Sequence, residues 1–308
     1  MRLNGGRILK KNIDCLFLGD AIFDVTVILQ KTRNPIVSGG TVNSKYISIS
    51  PGGIGNVAVT LSKLGGKAAQ CGVIGNELLG DMYRQDLQKK KVIPILFKNE
   101  SQPTGISLVF VSRNGQRSFL VSRGANSYLQ RHHIDEVFRK VNPKILYISG
   151  HMLSDRSVKE TIIYAAKMAR KKGIKIVFAC TPYNLIKLNR STFLKLLKMT
   201  YCLCLNLEEA RALTKRKKIS IIISQLMSSI KLLALTLGKN GCIIASKNQL
   251  VRVNTKKVKV VDTTGAGDAF AAAIIFGIIK KNSNRKMARM GVKLGTLAVQ
   301  QLGPRLTW

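Results

Sequence analysis

The stretch Asp262-Thr263-Thr264-Gly265-Ala266-Gly267-Asp268-Ala269-Phe270 decides how this chain is read. Two glycines flank one alanine, a carboxylate follows, and the sequence then runs apolar as far as Ile279. Asp268 is also the last acidic residue: after it come lysines and arginines but no Asp or Glu. A glycine-rich turn opening an apolar helix leaves N–H groups without carbonyl partners. With the helix dipole, the amides of Gly265 to Asp268 make an anion site. Two familiar phosphate loops are excluded. A dinucleotide GxGxxG would need glycine where Phe270 stands, and no GxxxxGK[ST] occurs anywhere.

The carboxylate is the informative residue, because it repels the anion the amides would hold. Asp268 could serve only to stabilise the start of the helix. The functional alternative is a base that takes a proton from a substrate hydroxyl while the amides hold a transferring phosphoryl group. Phosphoryl transfer depends mainly on positioning and charge neutralisation, so a weak base suffices.

Outward from this stretch, strand and helix alternate. CLFLG (15–19), KAAQCGVIG, KILYISG, IKIVFAC, YCLCLN and KLLALTLG read as buried strands, with helical patterns between them. A hairpin through CIIAS and LVRVN and two helices, about 266–280 and 285–301, close the pattern. Continuous apolar strands separated by helices imply a parallel sheet covered on both faces. Two β-rich pieces, about 22–50 and 92–122, break that rhythm and are expected to form a small accessory sheet. Asn114-Gly115 signals a hairpin within the second.

The bulk numbers set limits. With 308 residues, 45% of them hydrophobic, the chain can bury a full core. No window of about 18 apolar residues suggests a membrane span. The basic N-terminal residues read as a short tail before the first strand, not as a signal peptide. Six scattered cysteines without a CxxC pair suit buried thiols in a reducing compartment, so the expected location is cytoplasmic. The charge is +36, from 51 basic and 15 acidic residues. Nucleic acid is one partner such a charge could serve. The basic runs Lys89-Lys90-Lys91 and Lys215-Arg216-Lys217-Lys218 are not interleaved with aromatics, however, and fit a solvated lysine-rich surface better.

DTTGAGDAF resembles the second signature of the ribokinase-like (PfkB) carbohydrate kinases. Gly52-Gly53-Ile54-Gly55-Asn56 and the residues after it resemble the first. In family order, Gly19-Asp20 with Asp24, GVIGNELLGD, Arg123-Gly124-Ala125-Asn126, Asn206-Leu207-Glu208-Glu209 and TLGKNG (236–241) also match. The resemblance covers about 14–304 as one domain. It implies a three-layer α/β/α sandwich with a mostly parallel central sheet and a small β-sheet lid, formed from about 22–50 and 92–122.

The resemblance further implies an ATP-dependent kinase acting on a hydroxyl of a small sugar or sugar derivative. Asp268 would be the catalytic base, with Gly265, Ala266 and Gly267 as the anion hole. Asn206 and Glu209 would position Mg²⁺ and phosphate. Thr236, Gly238 and Gly241 would line the nucleotide site. Asp24, Gly52, Gly53 and Asn56 would hold the acceptor together with Asp268. Asp262 and Thr264 stand where the family often binds a monovalent cation, usually K⁺. The family forms lid-mediated homodimers, and 22–50 could pair that way. Taken alone, Asn206 and Glu209 fit a helix cap better, Gly52-Gly53 a turn and Asp24 a solvated strand residue; their joint occurrence in family order reverses that. Ile22 stands where ribokinase carries an acceptor-touching Asn, and Cys180 where sugar kinases often carry Asp. A nucleoside kinase of the same fold is therefore the second reading, with Phe23, Tyr46 or Phe119 under the base. A nucleic-acid-binding protein on an inactive kinase fold is the third.

Overall fold

The computed structural model describes residues 10–29, 41, 43–111 and 117–307. In chain order the strands are β1 (Lys11–Leu18), β2 (Ile22–Leu29), β3 (Ser44–Pro51), β4 (Ala68–Gly75), β5 (Ile93–Asn99), β6 (Gly105–Val111), β7 (Arg117–Ser122), β8 (Val141–Ser149), β9 (Lys175–Ala179), β10 (Cys202–Asn206), β11 (Leu232–Thr236), β12 (Cys242–Ser246) and β13 (Gln249–Val253). The helices are α1 (Gly55–Lys63), α2 (Leu78–Lys89), α3 (Arg131–Lys140), α4 (Arg156–Lys171), α5 (Tyr183–Leu197), α6 (Leu207–Thr214), α7 (Ile219–Met227), α8 (Ala266–Ile279) and α9 (Asn284–Ala298).

The continuous apolar runs form the middle of a nine-stranded sheet, ordered β13-β12-β11-β10-β9-β8-β1-β4-β5. Its pairings are parallel from β11 through to β5, and antiparallel only at the β11-β12-β13 meander. Every residue of β4 is buried, as a strand covered on both faces requires. Alternate residues of β1 divide between two cores. Leu16 and Leu18 pack with α3 to α7, whereas Cys15 and Phe17 pack with α1, α2, α8 and α9. Helix, sheet and helix therefore form three layers. All six cysteines are free thiols, and only Cys180 is not fully buried.

A second sheet, ordered β3-β2-β6-β7, stands apart from the first. Directly opposed residues share a face, so register sorts its side chains. Asp24 lies opposite Ser50 and Ser107, and Thr26 opposite Ser48 and Val109. Ile47, Ile49 and Leu120 lie on the other face and are exposed.

One boundary needs correcting. The lid segment expected over 92–122 begins too early, because Ile93–Asn99 is β5, the edge strand of the central sheet, paired parallel to β4. The lid's own strands from that region are Gly105–Val111 and Arg117–Ser122. Asn114-Gly115 lies outside the described residues. So do the tail at 1–9 and most of the Gly/Pro/Asn-rich loop after β2.

Candidate active site

The turn into α8 is built around close backbone approach. Gly265 is the N-cap residue, with φ of +76°. A Cβ there would lie 2.0 Å from the Pro304 carbonyl oxygen, so this position accepts only glycine. The Ala266 amide makes a stretched 3.4 Å bond to the Thr263 carbonyl, and Ala269 donates to Gly265. Gly267 is exposed, and no atom lies within 4 Å of where its Cβ would be. Gly267 and Asp268 lie in the first turn, where no intrahelical carbonyl is available to their amides. The open part of the expected anion hole is therefore at Gly267 and Asp268 rather than at Ala266.

Asp268 keeps part of its surface accessible, as a residue facing a ligand must. Close packing nevertheless desolvates its carboxyl and pushes it up to about 6, against the opposing pull of the Asn56 side chain and the Arg305 charge. Asn56 reaches it because α1 packs against α8. Asp24 comes from the lid. Its carboxyl is pushed up to about 7, first by desolvation and then by the charge of Asp268, with Arg305 and the opposed Ser107 pulling the other way. A Cβ on Gly52 would fall 1.9 Å from Asp24 Oδ2, so that glycine makes room for the carboxylate. The Gly52 carbonyl accepts from the buried Tyr83 hydroxyl at 2.9 Å, and Gln70 Nε2 donates to that hydroxyl at 3.0 Å. Asp24, Gly52, Gly53, Asn56 and Asp268, far apart in the chain, thus meet at one place.

Of the residues expected at the nucleotide, Asn206 and Thr236 lie beside each other in register at the carboxyl ends of β10 and β11. Gly238 and Gly241 stand in the turn from β11 into β12. Asn206 and Glu209 form a reciprocal capping box on α6: Glu209 N–H donates to Asn206 Oδ1 and Asn206 N–H to Glu209 Oε2, each at 2.9 Å. The capping geometry and the site location therefore coexist. Desolvation pushes Glu209 up to about 7, and no Lys or Arg among the described residues forms an ion pair with it. Burial raises the Tyr147 hydroxyl on β8, and the charges of Asp268 and Glu209 push it the same way.

Asp262 braces the loop before α8. Its Oδ1 accepts from the Thr264 amide at 2.9 Å and the Thr264 hydroxyl at 2.6 Å, and its Oδ2 from the Gly303 amide at 3.0 Å. The Arg123 to Asn126 element holds the strand-to-lid junction. Arg123 Nη2 pairs with Asp20 at 2.6 Å, while the Asn126 amide donates to Ala21 O and accepts from Ala21 N, each at 2.8 Å.

Sequence reasoning missed Ser107, Tyr83, Gln70 and Arg305. Each lies outside the motifs, and only the chain's path brings it to the site. Phe23, expected as a surface under a base, is instead 2% exposed and packs edge-on against Tyr83. By register, Tyr46 and Phe119 lie on the Asp24 face of the lid and are exposed.

A family model described as pfkB family carbohydrate kinase matches residues 12–308. The ribokinase of Lactococcus lactis subsp. lactis (strain IL1403) is 26% identical over 281 residues, covering 90% of this chain and 88% of that protein. The crystal structure of adenosine kinase from Sinorhizobium meliloti superposes with a TM-score of 0.87 at 26% identity, covering 96% of each chain. Arabidopsis thaliana ribokinase, solved with ribose and ATP, shares the fold with a TM-score of 0.76 at 22% identity, over 94% of each chain.

Proposed function

This chain belongs to the pfkB family of carbohydrate kinases, and we propose that it transfers a phosphoryl group from ATP to a hydroxyl of a small sugar or sugar derivative. Its relatives, among them a ribokinase and an adenosine kinase, support an ATP-dependent kinase of sugars or nucleosides. One observation carries the reading. A desolvated carboxyl, Asp268, stands beside the open amides of Gly267 and Asp268 and opposite Asp24.

With Asp268 at about 6 and Asp24 at about 7, the first is mostly ionised at neutral pH while the second is protonated about half the time. Asp268 takes the proton of the attacking hydroxyl. Asp24, Asn56 and the backbone at Gly52-Gly53 hold the acceptor's other hydroxyls. The acceptor oxygen bonds to the γ-phosphorus as the bond to the ADP oxygen breaks, and the amides at the start of α8 stabilise the equatorial oxygens. Asn206, Glu209 and Thr236 flank the nucleotide phosphates, and Gly238 and Gly241 shape the turn beside them.

Glu209, partly buried and without a cationic partner among the described residues, fits a residue that completes the shell of a hydrated Mg²⁺. The ion would neutralise phosphate charge when bound. Asp262 and Thr264 are the residues we assign to a K⁺ site that stiffens the loop before α8. The lid sheet would close over the acceptor and exclude water.

A specific observation keeps the nucleoside reading as the alternative: Tyr46 and Phe119 present aromatic surface on the Asp24 face of the lid. The test is ADP release from ATP and Mg²⁺ against pentoses, hexoses, keto-deoxy acids and nucleosides, each with and without K⁺. A strong sugar response supports the first reading, and a nucleoside response replaces it with the second. Silence across the panel, together with salt-sensitive binding to RNA or DNA, would overturn both.

A further inference from the structure

The segment after α9 enters the site from behind. The Pro304 carbonyl fills the space next to Gly265, and the Gly303 amide donates to Asp262. Leu306 is buried among Ala269, Ala273 and Leu294, and its carbonyl accepts from Lys63 Nζ. Between them Arg305 turns inward, with its side chain 15% exposed. Its Nε donates to Asn56 Oδ1 at 2.9 Å, and its Nη1 pairs with Asp86 on α2. Its Nη2 is buried without a hydrogen-bond partner, near the Tyr83 hydroxyl beneath Gly55.

A guanidinium can only donate, whereas a side-chain amide has one oxygen that accepts and one nitrogen that donates. With Arg305 holding the oxygen, the Asn56 nitrogen is left for the carboxylate of Asp268. If the amide were reversed, two donors would meet at Arg305 and two acceptors at Asp268.

We infer that Arg305 is a positioning residue for phosphoryl transfer: it fixes the Asn56 amide so that its NH₂ group faces Asp268, and it places a positive charge behind the two acceptor-side carboxyls. This rests on the kinase reading above. Asp268 is faced by Asp24 from β2, Tyr147 from β8 and Asn56 from α1, with the Arg305 charge behind Asn56. Asp86 and Lys63 border Arg305. The Arg305 charge favours the ionised form of Asp268. The unsatisfied Nη2 is a cost of bringing that charge in.

The experiment follows the Asp268 carboxyl by ¹³C NMR, its resonance identified by loss in Asp268→Asn, alongside the pH profile of kcat/KM. In Arg305→Met the Asp268 titration should move to higher pH and the acid limb with it. An opposite charge and a fixed hydrogen bond together are worth about one pH unit or more. kcat/KM at pH 6 should accordingly fall about fivefold, with KM for ATP unchanged. Arg305→Lys keeps the charge but not the rigid fork, so it should shift less. If Arg305→Met does not fold, Arg305→Lys carries the same test.

Lys63→Met loosens the same segment and should lower Tm without moving the Asp268 titration. Wild-type titration in both Arg305 variants, or an equal shift in Lys63→Met, would overturn the inference. The titration needs no turnover, so an inactive wild type would end the kinase reading while the NMR still decided the role of Arg305.

Discussion

Asp24 and Asp268 are two carboxyls drawn out of water toward the same space, and the charge of Asp268 helps push Asp24 up. Two predictions belong to them. Asp268→Asn should lower kcat by about 10²-fold or more with Tm preserved, and wild-type kcat/KM should rise as pH climbs through about 6. The second prediction concerns stability. The ordinary value of Asp24 is 3.8, and in the fold it is pushed up to about 7. The native state therefore binds more protons between those values. The stabilisation is complete below about 3.8 and is lost as pH rises through about 7. Asp24→Asn should raise Tm relative to wild type at pH 8, and the gap should close below pH 4. Thermal melts across that range check the sign. Asp268 was legible from composition alone, as a single acid in a basic tract. Its partner Arg305 was not, because nothing in the spacing of Gly303-Pro304-Arg305 indicates that the side chain turns inward.

At the scale of elements, the first turns of α8 and α6 do separable work. Gly265→Ala forces a side chain into a positive-φ site against Pro304. Backbone strain of this kind costs about 1–3 kcal/mol before any clash, so Tm and activity should fall together. Gly267→Ala meets no atom within 4 Å. It should melt like wild type but turn over more slowly, because its methyl projects into ligand space. On α6, Asn206→Asp keeps an equally good N-cap while setting a second charge beside Glu209. Stability should hold while KM for ATP rises, whereas a purely structural cap would leave KM unmoved. The helix starts were readable because caps and glycines are local signals. β5 was not assigned correctly, because a short apolar run does not say which sheet it joins. Its pairing with β4 decided that.

At the scale of the whole molecule, the basic excess and the lid have different explanations. Lys89, Arg139-Lys140 and Arg170-Lys171 occupy the last turns of α2, α3 and α4, where cations complement the helix dipole. Part of the charge therefore complements helix ends. The lid's outer face carries exposed Ile47, Ile49 and Leu120, side chains that a second copy could cover. Light scattering should give about twice the 33.9 kDa chain mass, and Ile49→Lys should return it to one. A single-chain mass for wild type would remove the lid dimer.

The sequence by itself determined the alternation of elements, the parallel sheet and the two signature turns. Apolar periodicity, caps and glycine positions act within about a dozen residues and need no distant partner. The tertiary structure alone decided that Tyr83 and Arg305 join Asn56, Asp24 and Asp268 in one site. It also decided that Phe23 is core rather than ligand surface and that β5 closes the central sheet. Those facts depend on which faces meet when α1 packs on α8 and the chain returns past α9. Desolvation and charge coupling, which set the site's chemistry, exist only once that packing has removed the water.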